Sequence, residues 1–461
     1  MPLQISQCDE YSPTSSTEST ESDPRSPKPG WEKTHGKNAK CKGQRFTLWA
    51  QDKRPSLERL YVDKNGKRRH KMSKERCKEI IKRIAKGPEP GQKELVYDSE
   101  LILDICVSFL EAIKKDKKYL EIDEDRKSVR IGDVHGCMDT IHSNFNNHGG
   151  VGSEEWLKAR FIFTGDYVDR GKQSLDVVLY LFTLRILYPD NIVVLRGNHE
   201  IYSVNVCYGF YLECLDRIAD REGSEKGEEG KHIHFYFNYV FGWMTIICRH
   251  NNTIQCHGGC SRTTVKKLRD MNKHMLPFMF EPSLCSPMAN DLLWNDPKHG
   301  IKGFIWDDKR KAFCFGPDVV IQFMKAHPEI QLWVRGHQVM NNGAEFFAGK
   351  RMVSIFGTSY YDATGYNNHG SNLVVTENND MYINHFKGIV LVCKYDEFKG
   401  PIMKFIAKRT VDQHNFYNMF PSIKAHRTVP VDAPSEMRRT IVRPGRSSRE
   451  ANNDPSETIR L

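Results

Sequence analysis

The chain has 461 residues, of which 39% are hydrophobic, so it can form one large domain or two ordinary ones with a sizeable core. With a mean hydropathy of −0.58 and no run of about 18 apolar residues, it is predicted to have no membrane-spanning helix. The net charge of +10 sits in the flanks, because residues 31–72 carry 13 basic and 4 acidic side chains while residues 73–400 carry 42 and 43.

The N-terminal flank has two parts of different composition. Residues 1–30 are rich in Ser, Thr, Pro and Glu, with few large apolar side chains, and are predicted to be a disordered tail. Residues 31–72 form a basic extension that we expect to be poorly ordered, with nucleic-acid contact as the less favoured alternative. Residues 397–461 are predicted to be a second basic, disordered tail.

The 13 cysteines are scattered and form no CxxC pair, and the first residues lack the basic and apolar regions of a secretory signal. We therefore expect reduced thiols that mostly pack in the core, and a cytoplasmic or nuclear location.

The folded domain is predicted to span residues 73–396 and to begin with two helices. Ser73 can cap the first, whose apolar positions have helical spacing and which ends at Gly87. A second amphipathic helix is predicted at about 99–115.

One pattern then recurs: a β-prone run ends at or near glycine, and side chains that can bind a metal follow at once. A helical stretch at 174–187 separates the second and third runs, and strand–helix–strand order predicts parallel pairing in an α/β fold. Because ligands gather at the carboxyl ends of such strands, we expect the five strand ends to meet at one edge. Later segments at 349–359 and 372–386 look like antiparallel hairpins. The five runs are SVRIGDVHG (128–136), ARFIFTGDYVDRG (159–171), NIVVLRGNHE (191–200), TIQCHGG (253–259) and IQLWVRGHQ (330–338).

The polar groups at these ends combine carboxylate, imidazole and amide oxygen, which suit divalent ions such as Mn, Fe or Zn. A lone histidine among them would more often be structural, but the ordered set is harder to explain as turns. Six ligands suit two ions, and a bridging carboxylate would hold these about 3.5–4 Å apart. Asp166 is the natural bridge, because it falls between the two groups in the chain. The predicted ligands are Asp133, His135, Asp166, Asn198, His257 and His337.

These motifs resemble the phosphoprotein phosphatase family of serine/threonine phosphatases. The resemblance covers roughly residues 73–396 and is closest to the type-1 catalytic subunits. It implies a central β-sandwich flanked by helices, with a site for two metals at the sandwich edge. The stretches that carry it are GDVHG (132–136), GDYVDRG (165–171), RGNHE (196–200), YGFYLEC (208–214), HGG (257–259), DLLWNDP (291–297) and RGHQ (335–338).

The resemblance also implies roles for single residues. One ion would be bound by Asp133, His135 and Asp166, and the second by Asp166, Asn198, His257 and His337. His199 would protonate the leaving alkoxide while Asp169 orients its imidazole. Arg170 would clamp the phosphoryl oxygens, with Asn198 and Tyr361 on the phosphate side. Glu200 is expected to have a structural role.

The chain departs from the family near the phosphate. The family's motif of the type RGVSFTFG begins with arginine, whereas DDKRKAFCFG has Lys309 there and Arg310 one residue beyond. Lysine keeps the charge but loses the planar fork, and a one-residue slip could let Arg310 substitute. Asp362 replaces a usual cysteine, and its carboxylate would disfavour anion binding if it points inward.

We therefore expect a metal-dependent serine/threonine protein phosphatase. It would hydrolyse phosphoserine and phosphothreonine by direct attack of a hydroxide bound to two metals, with phosphoproteins and regulatory subunits as partners. Two alternatives remain open. One is a metallophosphoesterase for small phosphoesters or dinucleotides, and the other is a catalytically weak scaffold, suggested by Lys309 and Asp362.

Overall fold

The computed structural model describes residues 55–264, 268–359, 361 and 368–386, together with the backbone of strands at 39–41, 44–46, 389–396 and 400–410. None of the helices in this part of the chain combines the length and apolar content that a bilayer crossing requires.

The predicted elements are present. Ser73 caps the helix that ends at Gly87, and a helix of the predicted bounds lies between the second and third strand runs. The helices are α1 Glu58–Tyr61, α2 Lys74–Lys86, α3 Ser99–Ile113, α4 Met138–Asn146, α5 Glu154–Leu157, α6 Ser174–Leu187, α7 Tyr202–Asn205, α8 Phe210–Arg217, α9 Glu228–Phe241, α10 Met271–His274, α11 Pro282–Cys285, α12 Pro287–Trp294 and α13 Pro317–Ala326, with a 3₁₀ turn at Leu268–Asp270.

The strands are short. They are β1 Ala39–Cys41, β2 Gln44–Phe46, β3 Tyr119–Ile122, β4 Ser128–Ile131, β5 Arg160–Phe163, β6 Ile192–Val194, β7 Ile247–His250, β8 Thr253–Cys256, β9 Asp296–Pro297, β10 Phe304–Asp307, β11 Ala312–Phe315, β12 Leu332–Arg335, β13 Ala344–Phe347, β14 Met352–Ile355, β15 Ser371–Val375, β16 Met381–His385, β17 Ile389–Asp396 and β18 Gly400–Thr410.

Two mixed sheets form the centre of the molecule. One has six strands in the order β13-β14-β12-β8-β7-β3, and the other has seven in the order β18-β17-β16-β15-β4-β5-β6. Apolar side chains of β12 and β14 pack against those of β15 and β16, so the sheets lie face to face. The predicted α/β class, with a β-sandwich flanked by helices, is confirmed.

Strand direction brings the polar motifs to one edge of the sandwich. β4, β5 and β6 are parallel neighbours, and β8 is parallel to β12 in the other sheet. Side chains of β4 and β5 are buried along their whole length, as expected for strands covered on both faces. The two predicted hairpins are antiparallel, as β13–β14 and β15–β16.

A buried polar pair joins the two sheets. Arg130 on β4 donates from Nη1 to Oε1 of Gln255 on β8 at 3.1 Å, and the Gln255 amide donates to the carbonyl of Ile162 at 3.0 Å. Burial lowers the pKa of Arg130 to about 10, and its Nε and Nη2 have no hydrogen-bond partner among the described residues. The sandwich therefore encloses a charge that no carboxylate of the described chain neutralises.

The packed body begins before the predicted boundary at Ser73. Leu60 of α1 lies fully buried in the main core, and Arg69 pairs with Glu100 at 2.6 Å and with Asp104 at 2.5 Å. The prediction of one poorly ordered extension over 31–72 therefore needs correction for residues 55–72. The segment is basic in composition, but Leu60 is buried in the core and Arg69 is paired with two carboxylates.

The predicted C-terminal boundary at 397 also needs correction. The backbone at 400–410 forms β18, which pairs antiparallel with β17, because β-prone residues such as those of PIMKFIA continue the hairpin. The predictions for residues 1–30 and for the end of the C-terminal tail lie outside the described residues.

We expect Leu60→Ala to lower the free energy of unfolding by about 2–5 kcal/mol, because it empties a fully buried site. Leu57→Ala is the matched control: its side chain is 39% exposed, and its loss should cost less than about 1 kcal/mol. Urea unfolding followed by circular dichroism measures both. Equally small losses would show that residues 55–72 contribute nothing to the domain.

Candidate metal centre

Two glycines let the loops at the sandwich edge approach the carboxylates. A Cβ on Gly197 would lie 2.2 Å from Oδ1 of Asp166, and one on Gly336 would lie 2.2 Å from Oδ1 of Asp133. No side chain fits at such distances, so only glycine allows the following Asn198 and His337 to reach the same centre.

Several predicted site residues adopt a backbone conformation that side chains rarely take. They have positive φ although they carry a Cβ, which costs of order 1–3 kcal/mol each and is typical of functional turns. They are His135 (45°), Asp166 (55°), Asp169 (71°), Arg170 (68°) and His337 (70°).

Atoms with lone pairs converge on one side of Asp166. The Asn198 amide oxygen lies 2.8 Å from Nε2 of His257, and that nitrogen is 3.2 Å from both Oδ1 of Asp166 and Nδ1 of His337. The same end of the Asn198 amide is 3.1 Å from both carboxylate oxygens of Asp166. Ligands of one ion at bond lengths of about 2.1 Å lie about 3 Å apart, so this set fits one divalent cation.

A second group lies on the other side of the same carboxylate. His135 donates Nδ1–H to the carbonyl of Val168 at 3.0 Å, which leaves Nε2 free to bind a cation. This Nε2 lies 3.4 Å from Oδ2 of Asp166. Asp133 is fully buried, and both of its oxygens accept the backbone N–H of His337 at 3.0 Å. Burial raises the pKa of Asp133 to about 7, the direction expected for a carboxylate removed from water. The structure thus brings all six predicted ligands together, with Asp166 in the middle, and the donor set fits two ions.

His199 lies beside these ligands and is held by a carboxylate. Its Nδ1 is 2.6 Å from Oδ2 of Asp169, and its backbone N–H donates to Oδ1 of Asp166 at 3.0 Å. Burial opposes the charged imidazole, but Asp166 and Asp169 outweigh it, and the pKa of His199 is raised. This arrangement suits a general acid. The alternative is a ligand role, because His199, His135 and Asp166 offer atoms within 4.8 Å of one another.

Glu200 fixes the loops around the centre. Its fully buried carboxylate accepts the backbone N–H groups of Asp166, Tyr167 and Gly197, each at 2.8 Å. These bonds tie the loop after β5 to the loop after β6, in keeping with the structural role expected of it.

Two further predicted residues, Arg170 and Tyr361, lie beside the candidate ligands. The Arg170 guanidinium stacks over the ring of Tyr208, 4.2 Å from its centroid. The Tyr361 ring lies 5.2 Å from that of His135. Tyr208 belongs to the YGFYLEC stretch, but nothing in the sequence assigned it this contact. Asp362 lies outside the described residues, so its effect stays a prediction.

Arg310, rather than Lys309, reaches the centre. Its Nη2 lies 2.8 Å from Nε2 of His337 and 2.8 Å from Oδ2 of Asp296. The Lys309 side chain is exposed, and no ion pair joins it to the site within the described ranges. Sequence reasoning missed Asp296, although it lies in the DLLWNDP stretch. Its carboxylate also accepts Nη2 of Arg335 at 2.7 Å and so anchors two arginines.

We expect Arg310→Ala to weaken the binding of inorganic phosphate about tenfold or more, because a charge-assisted hydrogen bond is lost. Lys309→Ala, the matched control one residue away, should change it by less than about twofold, as for an exposed charge. Competitive inhibition by phosphate measures both. A larger effect at Lys309 would show that Lys309, at the position of the family's arginine, binds the phosphate and that Arg310 does not substitute for it.

Comparison with known proteins agrees with this geometry. Residues 129–341, which include all six predicted ligands, match the family model described as Calcineurin-like phosphoesterase. A Saccharomyces cerevisiae protein serine/threonine phosphatase, described as similar to human phosphatase PP5, is similar in fold, with a TM-score of 0.56 and 24% identity over 66% of this chain and 89% of that chain. A cold-active protein-tyrosine phosphatase of a Shewanella species matches at a TM-score of 0.41 and 16% identity, over 58% of this chain and 81% of that chain, which is too weak to carry an argument. Over residues 129–341, the chain is therefore similar to metallophosphoesterase domains of the calcineurin-like phosphoesterase type.

Proposed function

We propose that the protein is a metal-dependent serine/threonine protein phosphatase, most similar to the type-1 catalytic subunits. The observation that carries the proposal is the buried pair of His199 and Asp169 beside the metal ligands. A serine alkoxide is a poor leaving group and needs a positioned acid, whereas activated phosphoesters do not.

In this proposal, Asp133, His135 and Asp166 hold one ion, and Asp166, Asn198, His257 and His337 hold the other. When bound, the two ions would supply an ionised water as nucleophile and neutralise charge on the phosphoryl group. The donor set suits Mn, or Fe and Zn.

The remaining steps belong to side chains of this chain. Arg170, stacked on Tyr208, and Arg310, anchored by Asp296, bind phosphoryl oxygens from two different loops. Asn198 and Tyr361 are proposed to contact the phosphate from the same side as these two arginines. His199 gives the proton on Nε2 to the leaving oxygen, while Asp169 holds Nδ1 and stabilises the protonated ring.

We further propose phosphoproteins as substrates, regulatory subunits as partners and a cytoplasmic or nuclear location. The support for protein substrates is that the resemblance extends beyond the metal motifs into YGFYLEC and DLLWNDP. The suggested nucleic-acid contact of the basic extension concerns mainly residues outside the described part of the chain.

A substrate panel tests the proposal. Purified protein loaded with Mn²⁺ should hydrolyse a phosphoserine peptide with a kcat/KM at least about tenfold above that for a dinucleotide polyphosphate, because proton donation by His199 accelerates departure of a serine alkoxide far more than departure of a phosphate group. Preference for the dinucleotide would favour a small-molecule metallophosphoesterase. No turnover of either with two ions bound per chain would favour the scaffold alternative.

A further inference from the structure

The loop that carries His199 is held at a point outside the metal centre. The backbone carbonyl of His199 accepts a hydrogen bond from Nδ2 of Asn205, the last residue of α7, at 3.0 Å. The next carbonyl, that of Glu200, accepts Nε and Nη2 of Arg196 at 3.0 and 2.8 Å. Side chains therefore take the place of a regular backbone ladder in fixing the path of this loop.

Asn205 is itself held by a buried polar network. Its Oδ1 accepts from Nε2 of His234 at 2.7 Å and from Nδ2 of Asn238 at 3.1 Å, while its Nδ2 also donates to Oδ1 of Asn238 at 2.9 Å. All three side chains are buried, and the two partners lie four residues apart on one face of α9. Both polar atoms of the Asn205 amide are thus engaged.

His234 determines which way round the Asn205 amide lies. Burial lowers the pKa of His234 to about 3, so the ring is neutral and carries one proton. Its Nδ1 has no hydrogen-bond partner among the described residues, whereas Nε2 faces Asn205, which places the proton on Nε2. A donor there requires the amide oxygen to face α9 and the NH₂ group to face His199. The reversed amide would set two donors against each other at His234 and two acceptors against each other at the carbonyl of His199.

We propose that Asn205, oriented by His234, is a positioning residue for His199. Asp169 sets the rotation of the imidazole, and the bond from Asn205 sets where the backbone holds it relative to the leaving oxygen. A displacement of about 1 Å can cost about 100-fold in rate. This inference rests on the proposed function, because it matters only if His199 protonates the leaving group.

Asn205→Ala tests the inference with two substrates that differ in leaving group. We expect turnover of a phosphoserine peptide to fall roughly 10- to 100-fold. Turnover of nitrophenyl phosphate, whose phenolate leaves without a proton, should fall less than about threefold. Bound Mn²⁺ per chain should stay at the wild-type value.

Two changes at His234 repeat the test without altering Asn205. His234→Phe removes the donor and should show the same selective loss, whereas His234→Gln restores an amide donor and should recover part of the rate. If Asn205→Ala does not fold, this pair decides the question.

Asn372→Ala is the matched control. Asn372 is equally buried and belongs to a separate network, donating to Asn144 at 2.7 Å and accepting from Asn384 at 2.8 Å. Its loss should lower the unfolding temperature without changing the ratio of the two rates.

The inference would be overturned if Asn205→Ala and His234→Phe each lost the same fraction of turnover on both substrates. The ratio of the two rates would then be the same in these variants as in Asn372→Ala. Failure of the proposed function has a different result: His199→Ala would then also leave the ratio of the two rates unchanged.

Discussion

Asp166→Asn is expected to abolish the binding of a metal pair and to reduce phosphoesterase activity by roughly 10³-fold or more. The Asp166 carboxylate lies 3.4 Å from Nε2 of His135 through Oδ2 and 3.2 Å from Nε2 of His257 through Oδ1. It is thus the group that faces both ligand sets. Asparagine keeps the shape but removes the charge and replaces one oxygen with a group that cannot bind a cation.

Metal analysis of the purified protein, with circular dichroism to check folding, measures this effect separately from activity. Asp296→Asn is the matched control, because Asp296 is also buried near His337 but anchors arginines instead. It should keep both ions and weaken phosphate binding. Two ions per chain in Asp166→Asn would show that this carboxylate is not the bridge.

His199→Ala is expected to lower turnover of a phosphoserine peptide by about 10²–10⁴-fold, the usual contribution of a general acid. The loss on nitrophenyl phosphate should be much smaller, since that leaving group needs no proton. Metal content should not change, because all six predicted ligands, Asp133, His135, Asp166, Asn198, His257 and His337, remain in this variant.

Metal content separates the two roles that the geometry allows for His199. Loss of one ion per chain in His199→Ala would make this histidine a ligand beside His135 and Asp166. An equal loss on both substrates with both ions retained would leave it neither ligand nor acid.

The strands and the candidate ligands were predictable because their signal is local. A buried strand needs a continuous apolar run, and the turn at its end needs glycine before a polar residue, so both can be recognised within ten residues. Parallel strand order then brings distant ends together, which is why Asp133 and His337 could be assigned to one centre although they lie 204 positions apart.

Other features depend on contacts that no local pattern shows. Arg310 reaches the candidate metal centre, and Lys309 does not, because of the turn that holds them. In this turn Oδ1 of Asp307 accepts the backbone N–H groups of Lys309 and Arg310 at 2.9 and 3.1 Å. Leu60 in a basic segment becomes core only because helices pack over it. Arg130 looks like an outward residue of a strand, yet the second sheet covers it and supplies Gln255 as its partner.

The positive-φ turns at the candidate metal centre lower the stability of the fold, yet they carry the side chains of the site. Five such residues at of order 1–3 kcal/mol each amount to a cost comparable with the whole net stability of a domain, about 5–15 kcal/mol. Glycine would relax each turn, but it would remove a candidate metal ligand, the Asp169 carboxylate beside His199, or the Arg170 guanidinium. Selection for a more stable molecule and selection for a faster one therefore oppose each other at these positions. Thermostability engineering should leave these turns unchanged and act on the sandwich and its helices.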